Sequence, residues 1–202
     1  MIKNIFFDLG GVVITHPKHI NEKFLRQQFS LSFPQARKVW LENRRPLLVG
    51  KETDREFLAK VSKKLHRDDS SESLWHQWWD FYQEVSKDIN WPLLELVKRL
   101  KRSYKIYLLT DTIALHDRYH QQKGLYDYFE RVFKSFQEGF MKPSKEAYLN
   151  PLRQTQSKPD ESVFVDDLEE NVKGAEAVGM QGVVYQNFRQ LKSQLRDLEV
   201  KF

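Results

Sequence analysis

The stretch Ile5-Phe6-Phe7-Asp8-Leu9-Gly10-Gly11-Val12-Val13 decides the fold. Three apolar residues make a short buried strand, Asp8 ends it, and the two glycines supply the tight turn that follows. Three further polar points stand in the same kind of setting. Thr110 follows Ile106-Tyr107-Leu108-Leu109, Lys142 sits within Gly139-Phe140-Met141-Lys142-Pro143, and Asp166-Asp167 follow Val163-Phe164-Val165, with Asn171 beyond. A parallel sheet gathers such strand ends in one crevice. An anion-binding hydroxyl, a lysine and three carboxylates converging there suit Mg²⁺-assisted phosphoryl transfer through an aspartyl intermediate.

Around these points the pattern alternates between strand and helix. Strands are expected at Lys105 to Thr110, Arg131 to Lys134, Ser162 to Val165 and Gly182 to Tyr185. Helices are expected from Pro92 to about Arg102, from Ile113 to about Lys123, from Ser144 to about Gln156, and from Glu170 to Val178. A closing helix opens at Asn187 or Phe188. Between about Pro17 and Val85 the pattern is helical without a convincing strand. Thr53-Asp54-Arg55-Glu56 is a capping box for a helix through Leu65. Ser71 to Val85 carries Leu74, Trp75, Trp78, Phe81, Tyr82 and Val85 at helical spacing, an aromatic stripe that reads as packed core. The fold class is therefore α/β, a doubly wound parallel sheet with a helical segment inserted after the first strand. Residues 1–16 and 88–202 form the core and residues 17–87 the insertion.

The chain of 202 residues suffices for one substantial core plus a small accessory unit. Its 40% hydrophobic and 30% charged residues fit an ordinary globular protein, not a disordered one. It has no cysteine, which excludes disulfides, zinc thiolates and a cysteine nucleophile. The apolar start is too short for a secretory leader, and no run approaches the roughly 18 apolar residues of a membrane span. The formal charge of +5 is spread among acidic residues, and its densest clusters, Lys98-Arg99, Lys101-Arg102 and Arg44-Arg45, fall near expected helix ends. Cations there complement the helix dipole and stay solvated, so no nucleic-acid or membrane partner is read from them. A cytoplasmic monomer or weak dimer acting on a small phosphate ester is expected.

In order and in strand context, Asp8, Thr110, Lys142 and Asp166-Asp167 resemble the haloacid dehalogenase-like (HAD) superfamily over nearly the whole chain. The segments Ser135 to Pro143 and Asp166 to Asn171 look close to its sugar-phosphatase-like, Asp-Leu-Gly branch, which includes glucose-1-phosphate phosphatase-like proteins. The resemblance implies a Rossmann-type core with a helical cap, and Mg²⁺ held by Asp8, the Gly10 carbonyl and Asp166. It makes Asp8 the nucleophile, Thr110 and its loop the phosphate cradle, and Lys142 the balancing cation. Asp111 stands where the family more often has Asn; a carboxylate there repels phosphate unless it points to the cap or is protonated. Asp167 is left to bind metal through water or to orient Lys142, and Asn171 to support the loop.

The sequence departs from the family at Gly10, where a second Asp would protonate the leaving oxygen. General acid–base help is worth roughly 10²–10⁴-fold, so its loss slows turnover without abolishing it. His16, His19 or Asp111 could substitute. The expected function is a Mg²⁺-dependent phosphatase; the alternatives are a regulatory pseudo-enzyme that binds phosphate and Mg²⁺, and, less favoured, a hydrolytic dehalogenase.

Overall fold

The computed structural model describes residues 1–15 and 19–202; His16, Pro17 and the expected start of the insertion at 17 lie outside the described residues. The chain begins with β1 (Asn4–Phe7) and β2 (Ile14–Thr15). Four helices follow, α1 (Ile20–Phe29), α2 (Phe33–Leu48), α3 (Asp54–Lys64) and α4 (Ser71–Val85), then β3 (Asp88–Ile89). The second part alternates: α5 (Trp91–Leu100), β4 (Lys105–Thr110), α6 (Ala114–Gln122), β5 (Arg131–Lys134), α7 (Ser135–Glu138) and α8 (Lys145–Thr155). It ends with β6 (Ser162–Asp166), α9 (Glu169–Glu176), β7 (Gln181–Val184) and α10 (Phe188–Asp197).

Five strands form one sheet in the order β5-β4-β1-β6-β7. Every pairing is parallel, with Phe7 opposite Leu108 on one side and Val165 on the other. Parallel sheets need both faces covered, and the alternation of β1 meets that demand. Ile5 and Phe7 join the core shared with α5, α6 and α10, while Phe6 joins Tyr148 and Leu152 of α8 and Ala175 of α9. The chain leaves β1 towards β4 and β5, then returns across it to β6 and β7. Strand order thus reverses at β1, and in such sheets the crevice at the reversal is where ligands bind. Asp8, Thr110 and Asp166 end or follow the three strands around it.

The insertion is helical throughout among its described residues, as the pattern implied. The Thr53–Glu56 capping box is present, and Trp75, Trp78 and Tyr82 are buried as expected. Trp78 stacks on Phe24 at 5.3 Å between ring centres and meets Phe57 at 5.7 Å. The insertion docks sideways on α6 through buried polar contacts. Tyr82 Oη and His120 Nε2 lie 2.8 Å apart, and Tyr119 Oη donates to the Ser86 carbonyl at 2.7 Å. Two details differ from expectation. Pro92 is the second residue of α5, because Asn90 caps it by accepting from Leu93 N. The return connection at Asp88 contains a short strand, paired antiparallel with β2.

Candidate active site

Asp8 is placed by its backbone: its N–H donates to the Val165 carbonyl at 2.8 Å, which ties the end of β1 to β6. Its buried carboxylate receives Lys142 Nζ at 2.7 Å, and the same ammonium donates to Asp166 Oδ2 at 2.6 Å. Leu109 O accepts a weaker third bond at 3.4 Å. One lysine on the loop before α8 therefore bridges the carboxylates of β1 and β6. Burial alone would lower its pKa, but Asp166, Asp8 and Asp111 outweigh that and hold it well above its ordinary value. Burial, with repulsion from Asp166 and Asp167, pushes Asp8 upward against the pull of Lys142.

Asp166 is fully buried and surrounded by donors. Besides Lys142, it accepts Leu168 N–H at 2.8 Å and the Asn171 amide at 3.1 and 3.0 Å. Asn171, in the first turn of α9, thus supports this loop, and Asp166 is in direct contact with Lys142. Asp167 lies instead against the turn after β1. A Cβ at Gly11 would stand 2.5 Å from its carboxyl carbon, and Gly11 has a φ of 78°. Only glycine satisfies both conditions. That second glycine is a site residue that motif reading overlooks, since Gly10-Gly11 signals merely a turn. Ligand atoms of Asp8, Asp166 and Asp167 all lie within 4.8 Å of one another.

Thr110 is buried at the end of β4, and its loop is pinned where Thr112 N–H donates to Ser135 Oγ at 3.1 Å. Asp111 Oδ1 accepts the Lys142 backbone N–H at 3.2 Å, so it braces the lysine loop. Burial pushes its pKa up to about 6, against the pull of Lys142 and, more weakly, of Arg44 from the insertion. His19 is engaged elsewhere: its Nδ1 lies 2.8 Å from Arg37 Nη1 and 3.3 Å from Glu22 Oε1. His16 lies outside the described residues.

The haloacid dehalogenase-like hydrolase family matches residues 2–179. The chain belongs to that family. A D-ribitol-5-phosphate phosphatase from Bacteroides thetaiotaomicron is 27% identical to this HAD-like hydrolase over 194 residues, covering 90% of each chain. A HAD-like family hydrolase from Porphyromonas gingivalis superposes with a TM-score of 0.82 at 23% identity over all of both chains. A HAD family enzyme of B. thetaiotaomicron, solved with magnesium and inorganic phosphate, gives 0.78 at 23% identity, over 95% of this chain and 99% of its own. These structural likenesses bear on the fold.

Proposed function

We propose that this HAD-like hydrolase is a Mg²⁺-dependent phosphatase of a small phosphorylated polyol or sugar, with Asp8 as its nucleophile. The observation that carries the reading is the buried Asp8–Lys142–Asp166 bridge at the reversal point of the sheet. The similarity to a ribitol-phosphate phosphatase supports the substrate class.

The donor set fits Mg²⁺. Three carboxylates within 4.8 Å and a single ammonium leave two negative charges, a balance a divalent cation with oxygen ligands restores. Asp8, the Gly10 carbonyl and Asp167 are the residues to hold it. The expected ligand Asp166 is less suited than Asp167, because N–H donors already occupy both of its oxygens. Bound there, the ion supplies positive charge to the transferring phosphoryl group.

Asp8 attacks phosphorus, and the ester P–O bond breaks to release an alkoxide that takes its proton from solvent to become the alcohol. Water then attacks the acyl phosphate at phosphorus, releasing phosphate and restoring the carboxylate. Lys142, held between Asp8 and Asp166, balances charge in a dry setting where such an interaction counts most. Thr110 and the N–H groups of its loop take the phosphoryl oxygens. Residues 17–87 act as a cap over the crevice, with 1–16 and 88–202 as the catalytic core. The acidic pair Asp166-Asp167 speaks against the metal-free dehalogenase alternative.

A panel of phosphorylated polyols and sugars, assayed for phosphate release with Mg²⁺ and with EDTA, tests the reading. Release should require Mg²⁺, and Asp8→Asn should reduce it to background while leaving the circular dichroism spectrum unchanged. Wild-type turnover by Asp8→Asn, or full activity in EDTA, would falsify the assignment. Mg²⁺ and phosphate binding without turnover would establish the pseudo-enzyme.

A further inference from the structure

Behind the lysine bridge lies a second buried layer, centred on Tyr148 in the first turn of α8. Its ring meets Phe164 of β6 at a steep 75°, with ring centres 5.5 Å apart. Lys142 Nζ lies 5.3 Å from the centre of the same Phe164 ring. At its other end, the Tyr148 hydroxyl donates to the Asn171 backbone carbonyl at 2.7 Å. The Asn171 side-chain amide reaches both oxygens of Asp166, and Asp166 receives Lys142 Nζ. Helix α9 approaches this closely because Gly174, one turn on from Asn171, has no side chain. A Cβ there would stand 2.8 Å from Tyr148 Oη and 2.9 Å from the Pro143 carbonyl oxygen. Helices α8 and α9 and the lysine loop therefore interlock around one position.

We propose that Tyr148 is a positioning residue for Lys142, acting through Asn171 and Asp166, and that Gly174 sets the spacing it needs. The kinetic form of the proposal rests on the phosphatase reading. A lysine ammonium is a point charge on a flexible four-carbon stem, so it is only as fixed as the groups that hold it. Its two carboxylate anchors differ in this respect. Asp8 bonds to phosphorus during turnover, which leaves Asp166 as the anchor that stays. Asp166 is held by the Leu168 N–H and the Asn171 amide, and the turn that aims this amide is tied to α8 by Tyr148. Charge placed in advance counts most as it develops on the transferring phosphoryl group. Loosening the frame should therefore lower kcat and leave KM nearly unchanged.

Tyr148→Phe keeps the ring on Phe164 and removes only the hydroxyl. Its control is Ser162→Ala, which removes a bond of the same kind and length, from Ser162 Oγ to the Lys158 carbonyl at 2.7 Å, at the opposite end of β6. Both variants should lose some stability to urea. Only Tyr148→Phe should also lose kcat, about 10-fold, with KM within about twofold, on the phosphate ester that wild type hydrolyses best. Nitrogen-15 NMR of the lysine ammonium groups supplies a readout that needs no turnover, with Lys142 assigned by its loss in Lys142→Arg. Hydrogen exchange of that ammonium with water should be slow in wild type and Ser162→Ala, and about 10-fold faster in Tyr148→Phe. A wild type that hydrolyses nothing would defeat the phosphatase reading, and the exchange rates would still decide the positioning role. Gly174→Ala crowds the same frame from α9; it should give the same kcat loss and faster exchange, and it replaces Tyr148→Phe should that variant misfold. Wild-type kcat in Tyr148→Phe, an equal kcat loss in Ser162→Ala, a change confined to KM, or unaltered Lys142 exchange overturns the proposal. So does a wild-type Lys142 ammonium that exchanges too fast to be seen.

Discussion

Position 10 is glycine where the family resemblance of the opening motif leads one to expect an acid. Gly10 is half-buried beside Asp8, and unlike Gly11 it does not take the left-handed conformation. Its φ therefore does not itself demand glycine. If no other residue replaces the carboxyl absent at this position, the leaving oxygen departs without a residue-borne proton, and the enzyme should favour esters whose alcohols leave as stable anions. The ratio of p-nitrophenyl phosphate to alkyl phosphate hydrolysis should be high. Gly10→Asp should lower it by raising the alkyl rate at least about 10-fold, within the range of general acid–base assistance. Steady-state rates on the two esters check this, with Mg²⁺ binding by the variant as the control. A folded, Mg²⁺-binding Gly10→Asp protein with no gain on the alkyl ester sinks the argument. It would direct attention to Asp111, whose carboxyl burial pushes up to about 6.

At the scale of elements, what could be read from the sequence follows from how local each cause is. The capping box at Thr53–Glu56 and the apolar runs at Lys105–Thr110 and Arg131–Lys134 act within a few residues, and the elements fall where they indicate. Helix α2 has an equally local signal, the Ser32–Gln35 capping box, but Pro46 inside the helix obscures its extent. The ribbon of β2 and β3 leaves no pattern, because two residues per strand are too few for alternation. The order of strands in the sheet and the approach of Asp167 to Gly11 depend on long-range packing, which no window of sequence displays. Asn90 belongs to this last group. It caps α5, while its Nδ2 donates to the Val12 carbonyl at 3.0 Å and to Tyr185 Oη at 2.7 Å. It thereby clamps the turn that carries Gly10 and Gly11 to the chain after β7. Asn90→Asp keeps the cap acceptor and removes both donors. It should leave α5 intact yet weaken Mg²⁺ binding about 10-fold, as expected for loosening one side of a preorganised site. Calorimetric titration with Mg²⁺ and far-ultraviolet circular dichroism separate the two effects. Wild-type Mg²⁺ affinity in Asn90→Asp counts against the clamp.

Across the whole molecule, stability couples the insertion to the core through the start of α6. Asp54, in the first turn of α3, is buried there; Trp75 Nε1 donates to its Oδ2 at 3.4 Å, and Oδ1 has no hydrogen-bond partner. The Leu115 N–H eases it without completing a bond, and burial pushes its pKa up to about 6. An unfolded Asp titrates near 4, so the folded state binds this proton more tightly. The contribution to stability is therefore full below about pH 4 and is lost as pH rises through about 6. A shift of this size corresponds to roughly 3 kcal/mol between those limits. Asp54→Asn removes the titration while keeping an acceptor for Trp75. Any fixed penalty for the amide beside Leu115 N–H is the same at every pH. Urea unfolding of both proteins at pH 4.0 and 7.5 should then show wild type losing up to about 3 kcal/mol relative to the variant. Groups that titrate alike in both proteins cancel in the comparison. Parallel stability curves for the two proteins would mean that Asp54 is ionised at little cost, and that the seat of the insertion on α6 is wetter than its geometry indicates.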